Sequence, residues 1–331
     1  MKTDSLALRV QRINAPVNRR LLALFGKKKE PGEVYGLLSK FILVEGKRLR
    51  PALCISSCKA AGGSAADAIC AATAIEMFHN FTLIHDDIED ASIMRRGGPC
   101  LHIRHGLPLA LNAGDGLFML VWREALRIKG KKSVEAQQRL LASFTQVLEG
   151  QAVELGWHRS GRFDIDEREY YQMAGGKTGA LIAVSCEVGA LLGGADEKTC
   201  RALWRFGMGI GIGFQMIDDA LNIGGEEKKY RKEIGGDVRE GKRTLLTVWA
   251  LSHLPTGKAR ELGAILHKGK KSKQDIARAV GLIKESGAVD VVMERAERRV
   301  RAAMRELAAL PGSQAKRDLE EIARYITRRN C

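Results

Sequence analysis

Aromatic residues are scarce, at 5% of 331 residues, and runs of β-branched residues are short. Little in the chain favours a pleated sheet. Ala, Leu, Ile, Met, Glu, Lys and Arg dominate, which favours helix nearly throughout. No apolar segment is long enough to cross a bilayer without carrying charge, and no signal-peptide pattern is present. Seven cysteines, at 54, 58, 70, 100, 186, 200 and 331, show no zinc-ligand spacing. Cys54 and Cys58 stand four apart in an apolar run and are expected as buried thiols, which points to a reducing cytoplasm. Cys331 is not in a prenylation box, because that box needs three residues after its cysteine. No Ser-His-Asp or Cys-His set is convincingly arranged.

The positive charge is plentiful but dispersed. The formal net charge is +15 and the sequence pI about 9.6, yet much of it lies along amphipathic stretches such as ERAERRVRAAMREL, which reads as a solvated helix face. Without a recognition motif or an aromatic-interleaved basic patch, nucleic-acid binding is not expected. A chain of this length could hold two domains, but no break demands a boundary, and 45% apolar content is ample for one core. The expectation is one all-α domain over residues 1–331.

The informative stretch runs from His79 to Pro99, HNFTLIHDDIEDASIMRRGGP. Its centre is DDxxD: Asp86, Asp87 and Asp90. On a helix Asp86 and Asp90 stack one turn apart on one face, where like charges repel unless a cation sits between them. A hard divalent ion with oxygen ligands, magnesium bridging to a phosphate, removes that penalty. Acidic runs at element ends are usually solvated surface, and DDIED alone is no stronger than that. A second acidic pair, Asp218 and Asp219, returns in GFQMIDDALNI as DDxxN, also after a long apolar run. Two such pairs facing each other would build a multi-metal diphosphate site.

Taken in order, residues 5 to 25 alternate apolar and basic positions at helical spacing before GKKKEPG breaks the pattern. A helix near Glu33 to Val44 then delivers Gly46-Lys47-Arg48-Leu49-Arg50-Pro51, three cations around one leucine, with Pro51 suited to open the next helix. Lysine offers a point charge and arginine a fork of donors that matches phosphate oxygens. An apolar helix to about Ala61 and a Gly62-Gly63 turn lead to a helix from about Ala65 that carries Glu76, His79 and the DDIED carboxylates. A lone histidine is more often a satisfied core residue, but His79 is two turns before Asp86 on nearly the same face. Asp164 or Asp166 is expected to cap DEREYYQMAGGKTGAL, with Gly175-Gly176 loosening that helix before Lys177. Glycines at 207, 209, 211 and 213 mark close helix approach in a helix over 196–223. Residues 257–273 read as loop with exposed helix, and the last sixty as two amphipathic helices.

GKRLRP, HNFTLIHDDIED, RRGGP, NAGD, GQAVEL, KTGAL, FQMIDDALN and GGDVREGKRT occur in that order, and together they resemble the trans-isoprenyl diphosphate synthases, or polyprenyl synthetases. The resemblance implies an isoprenoid-synthase helical bundle around a central cavity, a homodimer, and condensation of isopentenyl diphosphate with an allylic diphosphate. It implies that Lys47, Arg50, His79 and Arg96 hold isopentenyl diphosphate, and that Arg95, Lys177, Thr178, Gln215, Lys232 and Lys242 surround the allylic diphosphate. It gives Asp86, Asp90 and Asp218 to magnesium, three ions per site, sets Asp87, Lys177 and Lys232 beside them in the catalytic set, and counts Asn222 among the substrate-binding residues. Metals, lysines and arginines would stabilise the leaving diphosphate as the allylic carbocation forms, and apolar walls would keep water away.

Two departures mark this sequence. Asn222 stands where many relatives have a third aspartate. Its amide can still accept a hydrogen bond from metal-bound water, and it is expected to tune affinity, since asparagine occurs there in some geranylgeranyl-forming relatives. Lys228 to Lys232 replace the usual small and glycine residues. Phe81, five before DDxxD, occupies the position that the family links to early chain termination, and without the two-residue insertion of bacterial farnesyl synthases the pattern looks like archaeal geranylgeranyl diphosphate synthases. A helix wheel puts Phe81 about 140° from Asp86, which argues for core or interface instead. The alternatives are a farnesyl or longer-chain synthase, a class I terpene cyclase, which has no use for a second diphosphate site, and a non-catalytic regulatory subunit.

Overall fold

Helix-forming composition sets the architecture. The computed structural model describes residues 6–26, 30–44, 46–225 and 234–327. Among them the only strands are Met94–Arg95 (β1) and Gly98–Pro99 (β2), antiparallel with Met94 opposite Pro99. The all-α expectation holds. The chain gathers into two compact units, one of residues 1–144, 181–204 and 307–322, the other of residues 145–180, 205–306 and 323–331.

In the first unit, α1 (Leu6–Phe25) is followed by a π-helical turn (Gly32–Gly36) that leads into α2 (Leu37–Ile42), then by α3 (Leu49–Ala60) and α4 (Ala65–Glu89). Pro51 falls in the first turn of α3, where a missing N–H costs nothing because no intrahelical acceptor awaits it. The backbone N–H of Ser64 donates to Asp67 Oδ2 at 2.8 Å, which fastens the start of α4. After the β-hairpin come α5 (Leu101–His105) and α6 (Leu107–Ala125), separated at Gly106 with φ +83°, a backbone that favours glycine. Helix α4 packs against both α3 and α6, so residues such as Ile75, Met77, Phe78 and Ile84 are shut from water. That two-sided packing is why α4 is apolar nearly all round. Phe78 stacks on Phe144 with ring centroids 3.8 Å apart, on α7 (Ser133–Ser160).

The second unit holds α8 (Glu167–Ala174), a π-helical turn at Gly175–Gly179 after which the chain continues as α9 (Ala180–Leu192), and most of α10 (Glu197–Gly224). It also holds α11 (Gly236–Glu240), α12 (Leu245–His253), α13 (Thr256–Leu266), α14 (Lys273–Glu285) and α15 (Ala288–Arg305). Asp166 caps α8: its Oδ1 accepts from the Glu169 N–H at 2.8 Å and Glu169 accepts from the Asp166 N–H at 2.9 Å, a reciprocal pair of about 1 kcal/mol. The expected loosening at Gly175-Gly176 takes the form of the π-helical turn. On α10, a Cβ at Gly209 would come 2.6 Å from the Ala303 Cβ, and one at Gly213 2.6 Å from Val300. The glycine stripe therefore serves close approach to α15.

Three expectations change. The last sixty residues contain three helices, α14, α15 and α16 (Gln314–Thr327), because Gly287 turns at φ +72° and divides an otherwise continuous amphipathic run. Met94–Arg95 and Gly98–Pro99 form a short hairpin that the all-α reading did not include. The continuous helical stretch Glu167–Leu192 is long and apolar enough to cross a membrane, and 78% of that window is buried inside the protein. Its apolarity goes to the core, as in the interior helix of a large fold.

Candidate active site

The first unit builds a basic cluster around α4. Arg48 sits before α3 with φ +44°, a backbone that costs a non-glycine residue free energy. Its guanidinium is fixed by three oxygens: Asn18 Oδ1, the Ile42 carbonyl at 2.9 Å, and Glu76 Oε1 at 3.9 Å. Arg48 thus anchors the GKRLRP segment, while Lys47 stays exposed and Arg50 is half-buried with its Nε shut from water. Burial pushes the Arg50 guanidinium down to about 10, against the pull of Glu76. Its Nε is buried without a hydrogen-bond partner among the described residues. An orphaned guanidinium donor of this kind suits an anionic ligand.

His79 lies among these cations. Burial first, then the charges of Arg50, Arg96 and Arg95, hold its imidazole well below the ordinary value, so it is neutral near pH 7. Glu76 is the buried counter-charge: burial raises its carboxyl, and Arg48, Arg50 and Arg96 pull it back. Asn80 links them, donating to Glu76 Oε1 at 3.4 Å and accepting from Arg96 Nη1 at 3.2 Å. Sequence reasoning left Arg48 and Asn80 unassigned and gave Glu76 no role. A lone glutamate inside the apolar run AATAIEMFHNF was the available signal, since such a charge is rarely buried unpaired.

The hairpin divides the arginine pair. Arg95 on β1 donates from two nitrogens to Asp87 Oδ1, at 2.8 and 2.6 Å. Burial opposes the Arg95 charge and Asp87 more than offsets it, so its pKa is raised. Arg96 takes φ +51° and points to Asn80, with its guanidinium 5.8 Å from the Phe41 ring. Asp86 and Asp90 lie in the last turn of α4 and at its end, with Asp90 N–H on the Asp86 carbonyl at 2.8 Å. Asp87 is buried, whereas Asp86 and Asp90 are half-exposed. Phe81 is also buried, with its ring 5.0 Å from Phe118 and 4.6 Å from His85.

The second unit holds the remaining residues. Tyr170 and Gln215 both donate to Asp219, at 2.7 Å each, and Thr178 donates to Gln215 at 2.8 Å. Lys177, in the π-helical turn, pairs with Glu154. Burial works against that carboxylate, but Lys177, helped by Lys242 and His158, keeps its pKa below the ordinary value. Lys242 lies 2.6 Å from Glu240 and 3.9 Å from Asp237. Burial, together with Asp218 nearby, raises the Asp219 and Asp237 carboxyls. The Oδ1 of Asn222 accepts from the Asp237 N–H at 3.0 Å, and its carbonyl accepts from Gly235 at 2.8 Å. Asn222 therefore holds the start of α11. Lys228 and Lys232 lie outside the described residues.

Among the described residues no three His, Cys, Asp or Glu side chains converge into a cage for an ion. Magnesium dehydrates reluctantly and uses one or two carboxylates plus substrate phosphates, and Asp86, Asp90 and Asp218 offer it carboxylate oxygens. The all-oxygen donor set fits it too, and so do the raised carboxyls around Asp218, a concentration of negative charge that a cation would relieve.

These features define a helical diphosphate-handling enzyme, and the comparisons give its class. Residues 32–283 match the model of the polyprenyl synthetase family, and the chain belongs to that family. It is a prenyltransferase with the isoprenoid-synthase fold. It is 36% identical over 323 residues to the geranylgeranyl pyrophosphate synthase of Geoglobus acetivorans, covering 95% of this chain and 96% of the relative. It is 37% identical over 289 residues to the short chain isoprenyl diphosphate synthase of Methanothermobacter thermautotrophicus, covering 87% and 88%. The crystal structure of geranylgeranyl pyrophosphate synthetase from Pyrococcus horikoshii superposes with a TM-score of 0.92 at 33% identity over 99% of each chain.

Proposed function

We propose that this prenyltransferase condenses isopentenyl diphosphate head-to-tail with an allylic diphosphate and that its principal product is the twenty-carbon geranylgeranyl diphosphate. The observation that carries the reading is the half-buried Arg50, with its orphaned Nε, beside a neutral His79 flanked by Arg95 and Arg96. A protein that only ionised one diphosphate would have no use for this separate cationic half-site. Lys47, Arg50, His79 and Arg96 are assigned to the isopentenyl diphosphate. Arg95, Lys177, Thr178, Gln215, Lys232 and Lys242 are assigned to the allylic diphosphate.

Asp86, Asp90 and Asp218 would hold magnesium, three ions per site, with Asp87 orienting Arg95. When bound, magnesium supplies positive charge to the departing diphosphate oxygens. The protein's own part is electrostatic and geometric: guanidinium and ammonium groups meet the charge that develops on the leaving group. The double bond of isopentenyl diphosphate then attacks the allylic carbon, and loss of a proton from the adduct restores neutrality. Phe81 is assigned to limiting chain length on its position five before DDxxD, alongside its place in the core beside Phe118. The names of the archaeal relatives support the twenty-carbon product.

The same reading takes residues 1–331 as one functional domain, working as a homodimer in a reducing cytoplasm with at most peripheral membrane contact. Leu107, Leu111 and Met119 along α6, Leu126 just after it, and Val134 and Leu141 on α7 are each more than 40% exposed; an apolar surface of this kind suits a second copy. Free cysteines at 54, 58, 70, 100, 186 and 200 suit the reducing compartment. Turnover by the purified protein alone, with isopentenyl diphosphate, magnesium and an allylic starter, tests the function. Elongated prenyl diphosphates support it; cyclised hydrocarbon, or turnover only after a partner is added, contradicts it.

A further inference from the structure

The first unit contains a pocket that shares Arg95 and Arg96 with the assigned diphosphate residues but is otherwise lined by residues they do not include. It opens between the end of α2, the β-hairpin and α5, has a volume of about 240 Å³, and is lined by Lys40, Phe41, Val44, Arg95, Arg96 and Arg104 among eleven residues, none acidic. Its cations differ in how well they are matched. Arg95 is paired with Asp87, and Arg96 rests on Asn80 and the Phe41 ring. Lys40 and Arg104 make no ion pair among the described residues. Gly98 lets Arg104 into the wall: a Cβ there would come 2.7 Å from the Arg104 Nη2. Two unmatched cations and two partly matched ones around a concave space attract anions, and the guanidinium forks suit phosphate oxygens.

We infer that this pocket is a second diphosphate site, distinct from the Lys47–Arg50–His79 half-site, and that its ligand is a short-chain prenyl diphosphate of the isopentenyl class. The anion meets Lys40 and Arg104, with Arg96 shared between this pocket and the inner cluster. Phe41, Val44 and Leu101 give the hydrocarbon tail an apolar wall. The volume lies below the usual range of drug-sized pockets, which selects a five-carbon tail over a twenty-carbon one. The inference goes beyond the proposed reaction and does not need the inner half-site to be assigned correctly.

Calorimetric titration of the full-length protein in magnesium-free buffer tests it, with isopentenyl diphosphate in one arm and inorganic diphosphate in the other. With the allylic site first saturated by an allylic diphosphate, the expected result is two molecules of isopentenyl diphosphate per chain. In the double variant Lys40→Ala/Arg104→Ala one is lost, and in Lys47→Ala the other weakens. The apolar wall should make the outer site bind isopentenyl diphosphate about tenfold more tightly than inorganic diphosphate. Loss of one site in Lys40→Ala/Arg104→Ala with no change in Lys47→Ala would keep the outer site and undo the inner assignment. A single wild-type site, or two sites that the double variant leaves intact, would overturn the inference; circular dichroism of each variant checks that it has folded.

Discussion

Arg95 sets its Nε and a terminal nitrogen on one oxygen of Asp87, at 2.8 and 2.6 Å, so the central aspartate of DDxxD is occupied by the arginine expected to meet the allylic diphosphate. In the proposed reading Asp87 positions Arg95, and Asp86 and Asp90 are the carboxylates assigned to the metal. Asp87→Asn keeps the shape and removes the charge. A charge-assisted hydrogen bond contributes about 2 kcal/mol, so kcat/KM for the allylic diphosphate should fall roughly 30-fold. Steady-state kinetics with each substrate varied in turn check this, and an effect confined to isopentenyl diphosphate would contradict the assignment.

Asn80 plays the corresponding part for Arg96. Asn80→Ala leaves Arg96 Nη1 without its acceptor, so the KM for isopentenyl diphosphate should rise about tenfold while that for the allylic substrate stays put. A shift in the allylic KM instead would show that Arg96 serves the other diphosphate.

Gly150 marks the tightest contact near the KTG turn. A Cβ there would come 2.3 Å from the Lys177 backbone nitrogen and 2.8 Å from the Gly176 carbonyl carbon, and neither backbone atom can swing aside. Gly150→Ala should displace Lys177 and Thr178 and lower kcat at least tenfold, a misplacement effect far larger than one methyl's volume suggests. Near-normal turnover would show that the turn adapts without cost.

The neutral state of His79 has a consequence for pH. Its folded pKa is depressed, so below about pH 6.5, the ordinary imidazole value, the unfolded chain binds a proton that the folded chain refuses. Stability therefore falls as pH drops through that range and is insensitive to this group above it. Thermal melts from pH 8 to 5 should decline more steeply for the wild type than for His79→Gln. Parallel curves would mean that folding leaves the His79 titration unshifted, which would contradict the depressed pKa.

Much of this was legible in the chain because its motifs are local. Asp86 and Asp90 needed only helical spacing, and GKRLRP only its composition. The partners were not legible, since Glu76 with Arg48, Glu154 with Lys177 and Tyr170 with Asp219 are pairs made by tertiary packing across 23 to 49 positions. Asn222 shows the difference most plainly. Its sequence position suggests a ligand role through metal-bound water, while in the fold its side-chain Oδ1 accepts from the Asp237 N–H. Gly287 is a smaller case: the amphipathic period runs through it, and only its backbone angle divides α14 from α15.

Phe81 connects the core to product length. It packs between Phe78, His85 and Phe118 with centroid distances of 5.5, 4.6 and 5.0 Å, so Phe81→Ala should cost about 3 kcal/mol of stability and also lengthen the product. Loss of stability with an unchanged product would leave Phe81 a core residue alone.

The most direct test of the whole account is incorporation of radiolabelled isopentenyl diphosphate by the purified chain with magnesium and each allylic starter, the products separated by length after dephosphorylation. The account predicts a dominant twenty-carbon product from every starter accepted. No incorporation with any starter would contradict it.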